Sequence, residues 1–319
     1  MIIQSLTAYY DRLKENSDQE IPDFGFGNQK IYFALVLDEK GTLLRVLDLR
    51  HQDKTKFFPK ILTVPQELEE RSGSKVAAHF MWDNSMYVLG ADKKGNKKRS
   101  SDAFDNFKSV QQNLCEGCED RGMKAVLAFL NSWSPENAES LEYWEDIAGN
   151  NLVFKLDDDM EYVHERPQVR KAWIKYLNEK EKEVEGECLV TGGKVAIARL
   201  HPAIKGVRGA QQKGASIVSF NLDAFVSYNK AQSYNAPVGE ELTFKYTTAL
   251  NRLLSIDSRQ KIQIGDATTV FWTERDSPVE GFLGMVFNPG EDSSDIKEVH
   301  DFLDAVVKGK IPMTLKEPD

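Results

Sequence analysis

Five histidines, a run of three aspartates, a Cys-x-x-Cys pair and a glycine-rich basic loop are the places where this sequence could do chemistry. The histidines stand at 51, 79, 164, 201 and 300. None has the H-E-x-x-H or H-x-x-x-H spacing that puts two imidazoles on one helix face for a metal. No G-x-S-x-G elbow and no Walker A lysine loop occurs. Asp157, Asp158 and Asp159 are successive, so their side chains point in different directions and suit a solvated turn better than a cation site. A metal-dependent nuclease built on these carboxylates or on Glu274 is the enzymatic rival. Cys115, Cys118 and Cys188 are odd in number, and only the first two are spaced C-x-x-C. Neither a disulfide framework nor a four-thiolate zinc site can be completed from them, so reduced thiols are expected. The residues point to a protein that is not an enzyme and holds no cofactor and no metal.

Binding chemistry has stronger signals. Between residues 194 and 230 stand Lys194, Arg199, Lys205, Arg208, Lys213 and Lys230 against the single acid Asp223, in a chain whose formal net charge is −9. An acidic protein cannot coat nucleic acid over its whole surface, but it can hold a phosphate backbone where positive charge is concentrated. The central loop, HPAIKGVRGAQQKGAS, mixes these cations with Gln211, Gln212 and Ser216. Its glycines let the backbone approach a phosphate or ribose closely with N–H groups free to donate. The GVRG at 206–209 has the form of a KH loop, but KH loops join two helices and the run before this one is strand-like. A second candidate is Arg71, Ser72, Gly73, Ser74 and Lys75, a flexible polar loop suited to a duplex groove, leading into His79 and Asn84. Phe80, Trp82 and Tyr87 beside it read as core rather than as base-stacking rings. The third is the turn KKGNKKR, with Lys93, Lys94, Lys97, Lys98 and Arg99 as possible backbone contacts. For each of the three, the plain alternative is a solvated loop.

These loops need a scaffold. The chain has 319 residues, 41% hydrophobic and 29% charged, enough for a buried core in one large or two ordinary domains. No run approaches the roughly 20 apolar residues of a membrane span, and the start lacks signal-peptide features, so a cytoplasmic protein is expected. Ile2, Ile3, Leu6, Tyr9, Tyr10 and Leu13 recur at helical spacing. IYFALVLD and LLRVLDLR, joined through Gly41, predict a hairpin, and HFMWDNSMYVLG predicts a buried strand with its approach. SDAFDNFKSVQQNL, RGMKAVLAFLNSW and SPENAESLEYWEDIAG predict three helices, NLVFKL a strand, and VRKAWIKYLNEKEKEVEGE a charged helix. Further on, KVAIARL and SIVSFN predict strands flanking the basic loop. VGEELTFKYTTALNRLLS then predicts a helix, KIQIGDATTVFWTE a strand pair or one bent strand, and DSSDIKEVHDFLDAVVKGK a last helix. The fold class is α+β, with mixed, mostly antiparallel sheets, an inserted helical segment and no regular βα repeat. Residues 1–100, 101–187 and 188–319 are read as an N-terminal α+β region, a helical insert with linker, and a second α+β region.

CLVTG, IARLHPAIKGVRGAQQKGASIVSFN, AFVSY, NAPV and FKYTTALNRLL, in order from 188 to 254, resemble the signature region of the large subunit of the type I-C CRISPR Cascade. HFMWDNSMYVLG and IIQSLTAYYDRL resemble its N-terminal region, with His79 standing where the family's run has Asn. The resemblance runs along the chain, and family members continue past residue 319. It implies a non-catalytic subunit that recognises a protospacer-adjacent motif in double-stranded DNA, assists duplex opening and supports recruitment of a helicase-nuclease. Guide crRNA, the Cascade backbone subunits and the crRNA-processing subunit are the implied partners, with no membrane. Base pairing by the guide then supplies most of the sequence discrimination, as in another effector class. Arg71, Ser72, Ser74 and Lys75, with His79 and Asn84, are expected to probe the motif. Lys205, Arg208, Gln211, Gln212 and Lys213 are expected to hold a DNA or RNA backbone. The alternative is a structural subunit that grips guide RNA and its neighbours without reading DNA.

Overall fold

The computed structural model describes residues 2–16, 21–67, 71, 75–93, 95–179, 184–211 and 213–275, with single positions 277, 280, 284, 286, 304 and 308 beyond them. The chain divides into two compact units, Gly25–Glu181 and a discontinuous one made of Met1–Phe24 with Lys182–Asp319. The fold is α+β, and its small sheets are mostly antiparallel. Among the described residues no helix is long and apolar enough to cross a membrane.

Helix α1 (Ile2–Glu15) opens the discontinuous unit and buries Leu6, Tyr9, Tyr10 and Leu13, the face its sequence spacing predicts. Its partner helix comes late in the chain.

The continuous unit is built on strands β1 (Phe26–Ile31), β2 (Phe33–Leu37), β3 (Leu43–Asp48), β4 (His51–Asp53), β5 (Lys56–Phe58), β6 (Lys60–Pro65) and β7 (Trp82–Asn84). Helices α2 (Ser85–Val88), α3 (Lys97–Leu114), α4 (Arg121–Ser132) and α5 (Trp144–Ile147) follow, then β8 (Asn151–Leu156) and α6 (Pro167–Glu179). Its main sheet has the order β3-β2-β8-β7, with β2 and β8 parallel and the outer pairs antiparallel. The β2 sequence Phe-Ala-Leu-Val-Leu is buried at every position, as a central strand covered on both faces must be. Phe33, Leu35 and Leu37 meet Phe107, Phe129 and Trp173 on the helical side. Ala34 packs on the other face with Ile31, Leu62, Val64, Trp82 and Val153, beneath the antiparallel β1–β6 ribbon. The β2–β3 hairpin forms as the sequence predicts, its turn closed by Gly41 at φ +82°, where a Cβ would lie 2.5 Å from the Phe129 backbone nitrogen.

The 1–100 and 101–187 segments therefore share one sheet, because NLVFKL forms β8 and slots between β2 and β7. Two further expectations are corrected here. Only Trp82–Asn84 of HFMWDNSMYVLG is a strand, since Asn84 turns the chain by capping α2, its Oδ1 accepting from Met86 N at 3.1 Å. SPENAESLEYWEDIAG is a 3-10 turn (Pro135–Ser140) and the one-turn α5, not one helix. Its buried anchors are Ala138 at one end and Ile147 and Ala148 at the other, too far apart for a continuous helical stripe.

The discontinuous unit adds β9 (Glu185–Glu187), β10 (Lys194–Ala196), α7 (Glu240–Leu253), β11 (Lys261–Ile264) and β12 (Ala267–Val270). Its core joins the apolar face of α1 to Phe244, Tyr246, Ala249 and Leu253 of α7, with the Tyr10 and Phe244 rings edge to face at 5.8 Å. KVAIARL keeps a ladder only over Lys194–Ala196, and SIVSFN forms no strand. The preceding loop closes on itself through an Ile204–Ala215 bridge, and among the described residues no strand pairs with residues 216–221. The helix expected over residues 292–310 falls outside the described residues apart from single positions.

Candidate nucleic-acid interface

The basic loop is a closed, anchored structure rather than a loose excursion. Ile204 and Ala215 exchange backbone hydrogen bonds of 2.7 and 2.8 Å, pinning its two ends together. From α7, Asn251 accepts from Lys205 N at 2.7 Å and donates to Ala203 O at 3.1 Å. Gly206, at φ +83°, lets the loop lie so near the end of α7 that a Cβ would stand 2.6 Å from the Leu254 carbonyl oxygen. Arg208 N donates to Thr268 Oγ1 of β12 at 3.2 Å. The loop thus fixes its backbone and leaves its cations outside.

Lys205, Arg208, Gln211 and Lys213 are exposed, and none of the three cations has an acidic partner among the described residues. Beside Arg208, the loop and the β11–β12 hairpin enclose a cleft of about 380 Å³ lined by Gly206, Val207, Lys261, Ile262, Gln263 and Thr268. Lys261 faces it too, but its Nζ is held by the Leu254 and Ser255 carbonyl oxygens at 3.0 and 2.9 Å. Unpaired cations on a rigid loop are what a phosphate backbone requires, because no existing ion pair has to break before contact.

The Arg71 region is different, and here the sequence expectation is corrected. Arg71 points inward: its guanidinium pairs with the buried Asp83, its Nε donates to Ala77 O at 2.6 Å, and it lies 3.9 Å above the Tyr87 ring. Burial raises the Asp83 carboxyl to about 6, against the opposing effect of Arg71. His79 is 3% exposed and stacks on Trp82 at 4.6 Å. Burial, with Arg71 nearby, lowers it to about 3, so it is neutral and enclosed. Asn84 is occupied as the α2 cap. These three side chains hold the segment together and are not presented to a ligand. Lys75 is exposed, while Ser72 and Ser74 lie outside the described residues, as do Lys94 and Gln212.

The third basic cluster is a helix start rather than a turn. Asn96 caps α3 through Arg99 N at 3.1 Å, which places Lys97, Lys98 and Arg99 in its first turn, exposed and with no acid among them. Cations at a helix N-terminus oppose the macrodipole and cost about 0.3–1 kcal/mol each. Together with exposed Lys93 they form a second positive patch.

The profile of the CRISPR-associated protein (Cas_Csd1) family matches residues 6–319. The chain belongs to that family. No curated protein matches it.

In this Cas_Csd1 chain the acidic triplet is fully engaged. Arg45 pairs with Asp157 at 2.6 Å, Arg121 with Asp158 and Asp159 at 2.6 Å each, and Arg166 with Asp159 and, at 2.9 Å, Asp120. The triplet staples β8 to the start of α4, where Asp120 also caps the helix through Gly122 N and Met123 N. Among the described residues no group of three or more His, Cys, Asp or Glu side chains could hold a metal. Cys115, Cys118 and Cys188 are free, and burial pushes the Cys115 thiol up.

One further exposed element is a two-stranded ribbon. Among the described residues strands β4 and β5 pair only with each other, and all eight residues from 51 to 58 are exposed. Arg50 anchors the base of this ribbon, 4.7 Å from both the Phe33 and Phe57 rings and paired with Asp48 at 2.7 Å and Asp146 at 3.1 Å. The available signal was HQDKTKFF, three residues on each side of a Lys-Thr turn.

Proposed function

We propose that this Cas_Csd1 protein is the non-catalytic large subunit of a type I-C Cascade, working in the cytoplasm on double-stranded DNA with a guide crRNA. In this reading it recognises the protospacer-adjacent motif, assists duplex opening and supports recruitment of the helicase-nuclease. The Cascade backbone and crRNA-processing subunits are its neighbours. The observation that carries the proposal is the anchored loop 204–215, which holds Lys205, Arg208 and Lys213 outward and without acidic partners among the described residues, on a protein of net charge −9. The positive patch at the start of α3 supports it as a second backbone contact. Motif reading is not assigned to Arg71, His79 or Asn84, whose side chains are committed internally.

Reconstitution with crRNA and the partner subunits tests this. Arg208→Gln with Lys213→Gln is expected to weaken binding to all target duplexes and lower the salt slope by about 2, one unit per lost phosphate contact. Unchanged binding by the double variant refutes the loop assignment. Equal affinity for motif-bearing and motif-lacking duplexes favours the RNA-gripping structural subunit instead, and metal-dependent cleavage by the isolated chain refutes the non-catalytic reading.

A further inference from the structure

We infer that Tyr228 is a stacking platform for an unpaired nucleobase, held out on a strained hairpin tip; this rests on the nucleic-acid reading above and extends it to a residue outside the basic loop. Every residue from 221 to 230 is exposed, and Tyr228, at 95%, is the most exposed large hydrophobic side chain among the described residues. Its ring and hydroxyl have no hydrogen-bond or ring partner among the described residues. A large aromatic surface left wholly in water contributes nothing to the fold that carries it.

The backbone beneath it is unusual. Ser227 and Lys230 form a bridge, with Lys230 N donating to Ser227 O at 2.9 Å, around a two-residue turn. Tyr228 and Asn229 both lie in the left-handed region, at φ +50° and +59°. Two successive positive-φ residues make the turn that Asn-Gly sequences favour, and an aromatic residue in its first position is strained. Asn235 braces the turn: its Oδ1 accepts from Ser227 N at 3.1 Å, and its Nδ2 donates to Lys230 O and, at 3.0 Å, to Gln232 O. Gln232, itself at φ +50°, is tied to Arg199 Nη1 at 2.7 Å. Strain that the surrounding structure maintains, at a residue with no packing role, is the pattern of a functional position.

The charge around the ring selects the occupant. Lys230 stands two residues away, exposed and without an acidic partner among the described residues, and the stretch 194–230 carries six cations to one acid. A flat ring with the exposed Lys230 two residues away suits a base and its phosphate, since stacking accepts any base while the cation holds the strand. An acidic protein segment would use the cations and leave the ring idle.

The test uses the full chain with a fluorescein-labelled 20-nucleotide single strand, and the same strand carrying 2-aminopurine. Wild type is expected to bind and to quench 2-aminopurine. Tyr228→Phe is expected to bind within about twofold of wild type, and Tyr228→Ala about 5- to 150-fold more weakly with quenching lost, the loss of one stacked base. The salt slope should not change in either variant, because no phosphate contact is removed. Tyr228→Asn is expected to melt above wild type, since Asn tolerates the left-handed region, while losing affinity as Tyr228→Ala does. Absence of single-strand binding or of quenching by wild type overturns the proposal. So does wild-type affinity in Tyr228→Ala, an equal loss in Tyr228→Phe, or a lowered melting temperature in Tyr228→Asn. Arg208→Gln with Lys213→Gln, run in parallel, separates the two readings. A flattened salt slope there beside an unaffected Tyr228→Ala removes the stacking platform alone, and the reverse result removes the loop assignment alone.

Discussion

Replacing Arg71 by methionine removes a guanidinium from a carboxylate that has no other ion-pair partner among the described residues. Asp83 is 1% exposed at its side chain and would keep only two neutral donors, His79 N at 2.9 Å and Asn84 N at 2.8 Å. Removing one partner of a buried pair costs about 3–5 kcal/mol, and the contact over Tyr87 and the bond to Ala77 O go with it. Arg71 retains 26% side-chain exposure, which argues for the lower end, about 3 kcal/mol. For a unit of this size that corresponds to a melting temperature lower by about 6–12 °C. The pH dependence gives the sharper test. The folded Asp83 carboxyl already sits near 6, above the ordinary carboxyl value of 3.8, so between these values the native state holds a proton that the unfolded state has released. Its contribution to stability is therefore greatest at low pH and declines as pH rises from 3.8 through about 6. Without Arg71 the carboxyl rises further and the decline extends toward neutrality. The penalty of Arg71→Met, measured as the difference from wild type by urea denaturation, should shrink between pH 7.5 and pH 5, and Asp83→Asn in the same chain should recover most of it. A penalty under about 1 kcal/mol, or one that does not change with pH, refutes the account of this pair.

Three further outcomes follow from buried and backbone-critical positions. His164 is fully buried against Tyr162, and burial with Arg170 nearby lowers it to about 3, so the unfolded state takes up a proton first as pH falls below 6.5. His164→Phe should therefore be about 2 kcal/mol more stable relative to wild type at pH 5 than at pH 7 in urea titrations. Gly206→Ala puts a Cβ 2.6 Å from the Leu254 carbonyl oxygen at φ +83°. It should cost about 2 kcal/mol, speed hydrogen exchange of the Lys205 amide and weaken target binding with no charge removed. Lys98→Glu at the start of α3 should raise stability by about 1 kcal/mol by favouring the helix dipole, while calorimetry and binding isotherms show affinity for the target duplex falling.

Much of the scaffold was legible because its apolar residues repeat at the periods that helices and strands impose. Leu6, Tyr9, Tyr10 and Leu13 announce α1, and the spacing of Phe104 and Phe107 announces α3. The Gly41 hairpin was equally plain, since its turn requires a positive φ between two β-rich runs. SIVSFN failed because alternation signals a strand only where another strand is there to pair with it, and among the described residues none pairs with residues 216–221. The position of the basic loop could be read from charge alone, and Arg208 and Lys213 do face solvent. The fate of Arg71 could not be read that way. Its partner Asp83 lies 12 residues on, and nothing local distinguishes an arginine that folds back over Tyr87 from one that reaches outward. Gln111 was hidden for the same reason: fully buried on α3, its amide accepts from Met81 N and donates to His79 O, holding a backbone that no ladder supports. Tyr228 reads as an ordinary tyrosine until its φ is known.

The pairing of α1 with α7 sets a timetable for synthesis. The first helix leaves the ribosome long before Glu240–Leu253 has been translated, a delay on the order of 10–50 s at 5–20 residues per second. Meanwhile the intervening segment, with its own core, is complete and free to fold. The nascent chain must therefore carry Leu6, Tyr9, Tyr10 and Leu13 uncovered until their counterpart emerges, which makes the amino-terminal helix the natural point for a chaperone to engage and for premature termination to cause aggregation.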